Sequence, residues 1–138
     1  MAGPAEMAPL QLLTFAPMID SELARLVLGH HSITFVERDH VFGWASILTL
    51  FHGGYGQVPL LHGQGLKLSG PRAMAVHFDR KAAPERRLLP SGQPRCQRVQ
   101  ADWARFNGAL ASDVAALCYF PMLSKRDMMT ALFSRAIP

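Results

Sequence analysis

The stretch GQVPLLHGQGLKLSGPRAMAVHFD, residues 56–79, decides the fold. The apolar runs VPLL and LKL flank His62-Gly63-Gln64-Gly65, where glycine is supplied for a tight turn, so the pattern predicts a β-hairpin. After Ser69 the period changes. Met74, Ala75 and Phe78 recur at helical spacing, which predicts a helix from Arg72 to Asp79. Gly70-Pro71 opens it. Proline suits the first helical position, but it lacks one of the N–H groups that make a helix N-terminus an anion site.

Upstream, LQLLTF (10–15) is an apolar run suited to a buried strand, and IDSELARLVLGHH (19–31) places Leu23, Leu26, Val27 and His30 at helical spacing. Asp20 or Ser21 is the expected N-cap. ITFVER (33–38) is β-branched and aromatic enough for a second strand, and so short a crossover implies that the two strands run parallel. WASILTLF (44–51) predicts a short helix that ends at HGGYGQ. The order is therefore βαβαββα, an α/β layer structure over residues 8–80.

Downstream, Pro84, Pro90 and Pro94 lie among arginines and mark residues 81–94 as a linker. Val99, Trp103, Phe106, Leu110, Val114 and Leu117 then follow spacings of three and four, which predicts a long helix with an apolar stripe. Ser124 with Asp127 three residues on resembles the start of another helix, through Ser134. Residues 95–138 thus read as an all-α domain begun and not completed.

Composition narrows the function classes. A chain of 138 residues with 49% hydrophobic content buries one good core. MAGPAEMAPL lacks the basic start and apolar centre of a signal peptide, and the apolar run from Trp44 to Phe51 is too short to span a bilayer. A soluble, cytoplasmic protein with no membrane partner is expected. The net charge of +4 is concentrated in RKAAPERRLLPSGQPRCQR (80–98), which reads either as a solvated linker or as an attractor of phosphates and acidic partners. No nucleic-acid motif accompanies it, so no nucleic-acid partner is expected. Cys96 and Cys118 on one helix would stand ~33 Å apart, far beyond the ~7 Å limit for a disulfide. The histidines are scattered, and no metal site is expected.

Three segments together resemble the glutathione transferase family. FAPMIDSELARLVLGHHSITFVE (15–37) is similar to that family's first strand, loop, helix and second strand. GQVPLLHGQGLKLSGPRAMAVHFD is similar to its proline loop, hairpin and third helix, and LLPSGQPRCQRVQADWARFN (88–107) to its linker and fourth helix. The resemblance covers nearly the whole chain. It implies a thioredoxin-like N-terminal domain, glutathione as co-substrate, no metal, and a small-molecule electrophile as the acceptor of the glutathione thiolate. A homodimer is also expected, favoured by the apolar stripe at Trp103, Phe106 and Leu110.

The resemblance assigns residues. Val58-Pro59 matches the family's cis-proline, where the residue before proline pairs with the cysteinyl part of glutathione; the residues alone equally allow a trans-proline at a strand start. Gln57 lies beside it and is a candidate donor to the peptide. Phe15 has no hydroxyl, so a tyrosine-type mechanism is not expected. Ala16-Pro17 match the opening of a bacterial-type SPxxCS loop, Asp20 falls where the family places cysteine, and Ser21 matches the serine. Ser21 is the candidate catalytic residue, holding the thiolate with help from the positive end of the first helix, and is equally a plain capping residue. Asp20 opposes a thiolate by charge.

At the third helix the family holds the γ-glutamyl group with an acidic residue followed by serine. Here Gly70 and Pro71 occupy those positions, so the carboxylate, the hydroxyl and one N–H are gone. Ser69 and Arg72 are the candidates to compensate. Charged hydrogen bonds contribute ~1.5–3 kcal/mol each, so the alternative is a non-catalytic scaffold of this fold with weakened glutathione recognition.

Overall fold

The computed structural model describes residues 8–15, 18–40, 42–54 and 56–134. Ala16-Pro17 and the extreme termini lie outside them. The chain divides into two units, residues 1–86 and 87–138.

The first unit follows the expected order: β1 (Leu10–Thr14), α1 (Ile19–His30), β2 (Phe35–Asp39), α2 (Phe42–Phe51), β3 (Leu60–Gly63), β4 (Leu66–Ser69) and α3 (Pro71–Asp79). The sheet order is β2-β1-β3-β4. β1 and β2 are parallel, as the short crossover requires, and β3 runs antiparallel to both β1 and β4. This is an α/β, thioredoxin-like domain followed by helices.

Strand alternation divides the core between two faces. Leu12 and Leu61, paired across β1 and β3, pack with Ala24, Val27 and Leu28 of α1 and with Met74, Ala75 and Phe78 of α3. Leu13 and Leu60 are offset by one residue and take the other face, where α2 buries Ala45 and Thr49. At the end of α2, His52 stacks on His62 of β3 with ring centroids 4.2 Å apart. The hairpin turn places Gln64 at φ 52° and Gly65 at φ 77°, the two positive values that match the twist of paired strands.

Two helix starts differ from expectation. α1 begins at Ile19 with Met18 as its N-cap, so neither Asp20 nor Ser21 caps it. The N–H groups of Ser21 and Glu22 already bond to the Met18 carbonyl at 3.0 and 3.3 Å. At its other end α1 closes with Ser32 N–H on Gly29 O and Ile33 N–H on Leu28 O, with Ser32 at φ 56°, a Schellman-type stop.

In the second unit, α4 (Gln93–Arg105), a π-helical turn (Phe106–Leu110) and α5 (Ala111–Leu123) follow one another in one helix of 31 residues. Cys96 and Cys118 are both free and lie on it. By length and composition this helix is long and apolar enough to cross a membrane, which a search for unbroken apolar runs does not reveal. None of its residues is buried, and Leu117 and Phe120 are 75% and 80% exposed. α6 (Arg126–Ser134) follows. Ser124 does not cap it; its hydroxyl donates to the Pro121 carbonyl at 3.0 Å, and the first α6 bond runs from Met129 N–H to Lys125 O. The competing local bond from hydroxyl to a preceding carbonyl accounts for the shift.

Candidate functional site

Three segments of the first unit carry the residues singled out by the sequence: the β1–α1 loop, the approach to β3, and the β4–α3 turn. The Val58-Pro59 peptide bond is cis. Val58 and Pro59 are buried while Gln57 is exposed. Gly70 N–H donates to the Pro59 carbonyl at 2.8 Å, so the proline loop and the β4–α3 turn are joined by a direct backbone bond.

That turn is shaped by glycine. Gly70 sits at φ 79° and ψ 153°, a conformation in which L side chains are strained, although nothing lies within 4 Å of the place a Cβ would occupy. Pro71 is buried at the first position of α3. Met74 N–H bonds to Gly70 O at 3.3 Å. With no donor at Pro71, the N–H groups left at this helix start are those of Arg72 and Ala73. Ser69 is half-buried at the end of β4, and Arg72 is exposed.

Ser21 stands differently. Its side chain is fully buried, its hydroxyl donates to Phe15 O at 2.9 Å, and it accepts from Phe15 N–H at 3.3 Å. These bonds tie α1 back to the end of β1. A thiolate could recruit this hydroxyl only by displacing the Phe15 carbonyl from it, because a hydroxyl carries a single proton.

Sequence reasoning missed the polar cluster that fixes α1 on the sheet. Arg25 of α1 reaches Glu37 of β2 through both Nε and Nη2, at 3.1 and 2.7 Å, and meets Glu22 at 2.6 Å; Thr14 Oγ1 donates to Glu37 at 2.7 Å. The pairing of Thr14 with Asp39 in the β1–β2 register brings Glu37 within reach of Thr14. The Arg25 hydrogen bond holds the Glu37 carboxyl below its ordinary 4.5, burial opposes this, and the Thr14 hydroxyl assists. The unfolded chain therefore binds a proton here more readily than the folded one. The stabilisation is complete above 4.5 and is lost as pH falls through the lower folded value. In acid titrations of stability, Glu37→Gln is expected to flatten this part of the curve; an unchanged acid limb would refute the assignment.

A second missed pair lies at the opposite ends of α1 and α3. His31 Nε2 is 3.1 Å from Asp79 Oδ1, with both side chains almost wholly buried. The distance suits an ion pair, while the ring nitrogen is out of line for a hydrogen bond. Beside it, His30 Nε2 meets Arg86 O at 2.8 Å, and Arg86 Nη2 donates to His30 O.

The chain is similar in fold to a solved structure described as a possible glutathione S-transferase from Rhodopseudomonas palustris, with a TM-score of 0.57 and 20% identity over 82% of this chain. It covers 58% of that chain's length. No protein-family model matches, and no curated protein matches.

Proposed function

We propose that this chain binds glutathione along Val58-Pro59 and the β4–α3 turn, and presents its thiol to a small electrophile. The observation that carries this reading is the Gly70 N–H bond to Pro59 O, which sets the two candidate peptide-docking segments side by side. In this reading the Val58 backbone pairs with the cysteinyl unit, Gln57 reaches the peptide from the rim, and Ser69, Gly70, Pro71 and Arg72 receive the γ-glutamyl end. The Arg72 and Ala73 N–H groups and the Arg72 guanidinium supply the positive potential for its carboxylate. In the reaction the glutathione thiol releases its proton to solvent. The thiolate then forms a carbon–sulfur bond, and either a leaving group departs or the electrophile's double bond takes up a proton.

Ser21 is proposed as the thiolate's hydroxyl partner only if substrate draws it away from Phe15 O. Titration calorimetry with glutathione on the wild-type chain and on Ser21→Ala, with a conjugation assay on both, tests this. Millimolar-range binding by the wild type is expected. Ser21→Ala is expected to lose conjugation beyond what its loss of thermal stability explains; equal conjugation rates would remove Ser21 from the chemistry. No binding at millimolar glutathione would favour the scaffold reading, to which the absent N–H and hydroxyl at Pro71 already point.

We also propose that the chain forms a homodimer, because a helix that leaves Leu117, Phe120 and Leu123 largely exposed presents more apolar surface than a monomer ordinarily leaves to water. Light scattering of the purified chain is expected to return twice the monomer mass; a monomer at all concentrations would refute it.

A further inference from the structure

The end of α2 is fixed to the sheet by two histidines. The helix stops in a Schellman arrangement: Gly53 N–H bonds to Leu50 O at 3.0 Å, Gly54 N–H bonds to Thr49 O at 2.6 Å, and Gly53 supplies the positive φ, 74°. His52, the first residue past α2, lays its ring on His62 of β3, with planes 25° from parallel. A Cβ on Gly54 would come within 3.1 Å of Leu60 Cδ2, so the turn sits directly on β3. Of the described residues of α2, Ala45 and Thr49 are buried, while Leu50 and Phe51 beside the turn are largely exposed. The stack is therefore a large part of what holds this end of the helix.

His62 lies opposite Gln11 of β1 and Lys67 of β4 in the strand register, on the face that Leu60 turns to α2. Its Nε2 is buried and has no hydrogen-bond partner among the described residues. Gln11 is neutral and α2 carries no charged residue. The Lys67 ammonium lies against Gly53, where a Cβ would collide with it. Burial first, and then the charges of His52 and Lys67, hold His62 below its ordinary 6.5, and no carboxylate is among the groups that act on it. A ring released from these surroundings binds a proton more readily than the docked one. The docked form is thus fully favoured above 6.5 and loses that advantage as pH falls from there through the lower docked value.

We propose that the His52–His62 stack is a proton-controlled latch: with His62 neutral it holds the turn at 52–54 on β3, and a proton taken up by His62 releases the turn. Protonation places a charge where water is largely excluded, beside a second titratable ring and an ammonium, with no anion to receive it. Release returns that charge to water. Gln57 and Val58-Pro59 follow closely in the chain, so release of the turn loosens the backbone that leads to the candidate docking segment. The inference concerns the backbone at 52–54 and stands whether or not glutathione binds.

Hydrogen exchange at the Gly54 amide of the full chain, corrected for its intrinsic rate, tests the latch at about pH 7.5 and about pH 5. Protection is expected to fall about three- to tenfold at the lower pH. The Met74 amide of α3, bonded to Gly70 O at 3.3 Å, reports on global opening and is expected to keep its protection. His62→Phe retains a ring for His52 to stack on but takes up no proton, so its Gly54 protection is expected to be equal at both pH values. Should that variant fail to fold, Lys67→Gln at an exposed position decides: with one positive charge gone, the acid loss of protection is expected to shrink. The proposal is overturned by an unprotected Gly54 amide at the higher pH, by equal wild-type protection at both pH values, or by a parallel fall at Met74. A fall in His62→Phe, or in Lys67→Gln, as large as in the wild type overturns it too. A chain that binds no glutathione but shows the expected exchange pattern would refute the proposed function and leave the latch standing.

Discussion

Pro71→Ser is expected to bind glutathione roughly ten- to a hundredfold more tightly than the wild-type chain. The substitution returns an N–H to the first position of α3 and adds a hydroxyl there. A charged carboxylate gains ~1.5–3 kcal/mol from each such hydrogen bond, and one or two of them give the stated range. Serine is well accommodated at the start of a helix, and the loss of proline rigidity costs at most about 1 kcal/mol of stability. Gly70 is left in place because its φ of 79° and ψ of 153° would strain a side chain. Titration calorimetry of both chains measures the effect. If affinity does not change, the β4–α3 turn is not where the γ-glutamyl group binds.

The second large effect concerns stability. Asp79→Ala is expected to destabilise the first unit by about 3 kcal/mol, because removing one member of a buried pair leaves the other without compensation. His31 Nε2 is nearly inaccessible to water and, among the described residues, has the Asp79 carboxylate at 3.1 Å as the polar neighbour of that atom. For a unit of this size the change corresponds to a fall in Tm of roughly 10–20 °C. The double variant His31→Leu with Asp79→Leu, which removes both polar groups, is expected to recover much of the loss. Thermal unfolding decides it: a shift of only a few degrees for Asp79→Ala would show that the pair contributes little.

The hairpin and the helix after it were legible because their information is local. Alternation at period two, glycine at the turn and a change to helical spacing at Ser69 are properties of adjacent residues, and β3, β4 and α3 lie where those signals put them. The parallel pairing of β1 and β2 followed from the shortness of the α1 crossover. The resemblance to glutathione transferases added the cis bond before Pro59, which composition and periodicity do not encode.

Other features were not legible. A serine near a helix start reads the same whether it caps the helix or turns back to the preceding strand. Only the packing of α1 against β1 directs the Ser21 hydroxyl to Phe15 O, and Met18 becomes the cap instead.

By itself, then, the sequence determined the order of elements, the parallel pairing of β1 with β2, the β3–β4 hairpin and the proline-led start of α3 with its missing N–H, since each follows from side-chain type and near-neighbour spacing. The missing hydroxyl there is read only from the resemblance, and the β1–β3 pairing only from the structure. Only the tertiary structure decided where polar groups spend their hydrogen bonds. Arg25 finds Glu37 and Ser21 finds Phe15 because the β1–β2 register and the docking of α1 bring them together, and the docking of α1 and α3 sets His31 beside the Asp79 carboxylate without a hydrogen bond. Buried polar groups must find partners, and which partner each finds is a property of the packed fold.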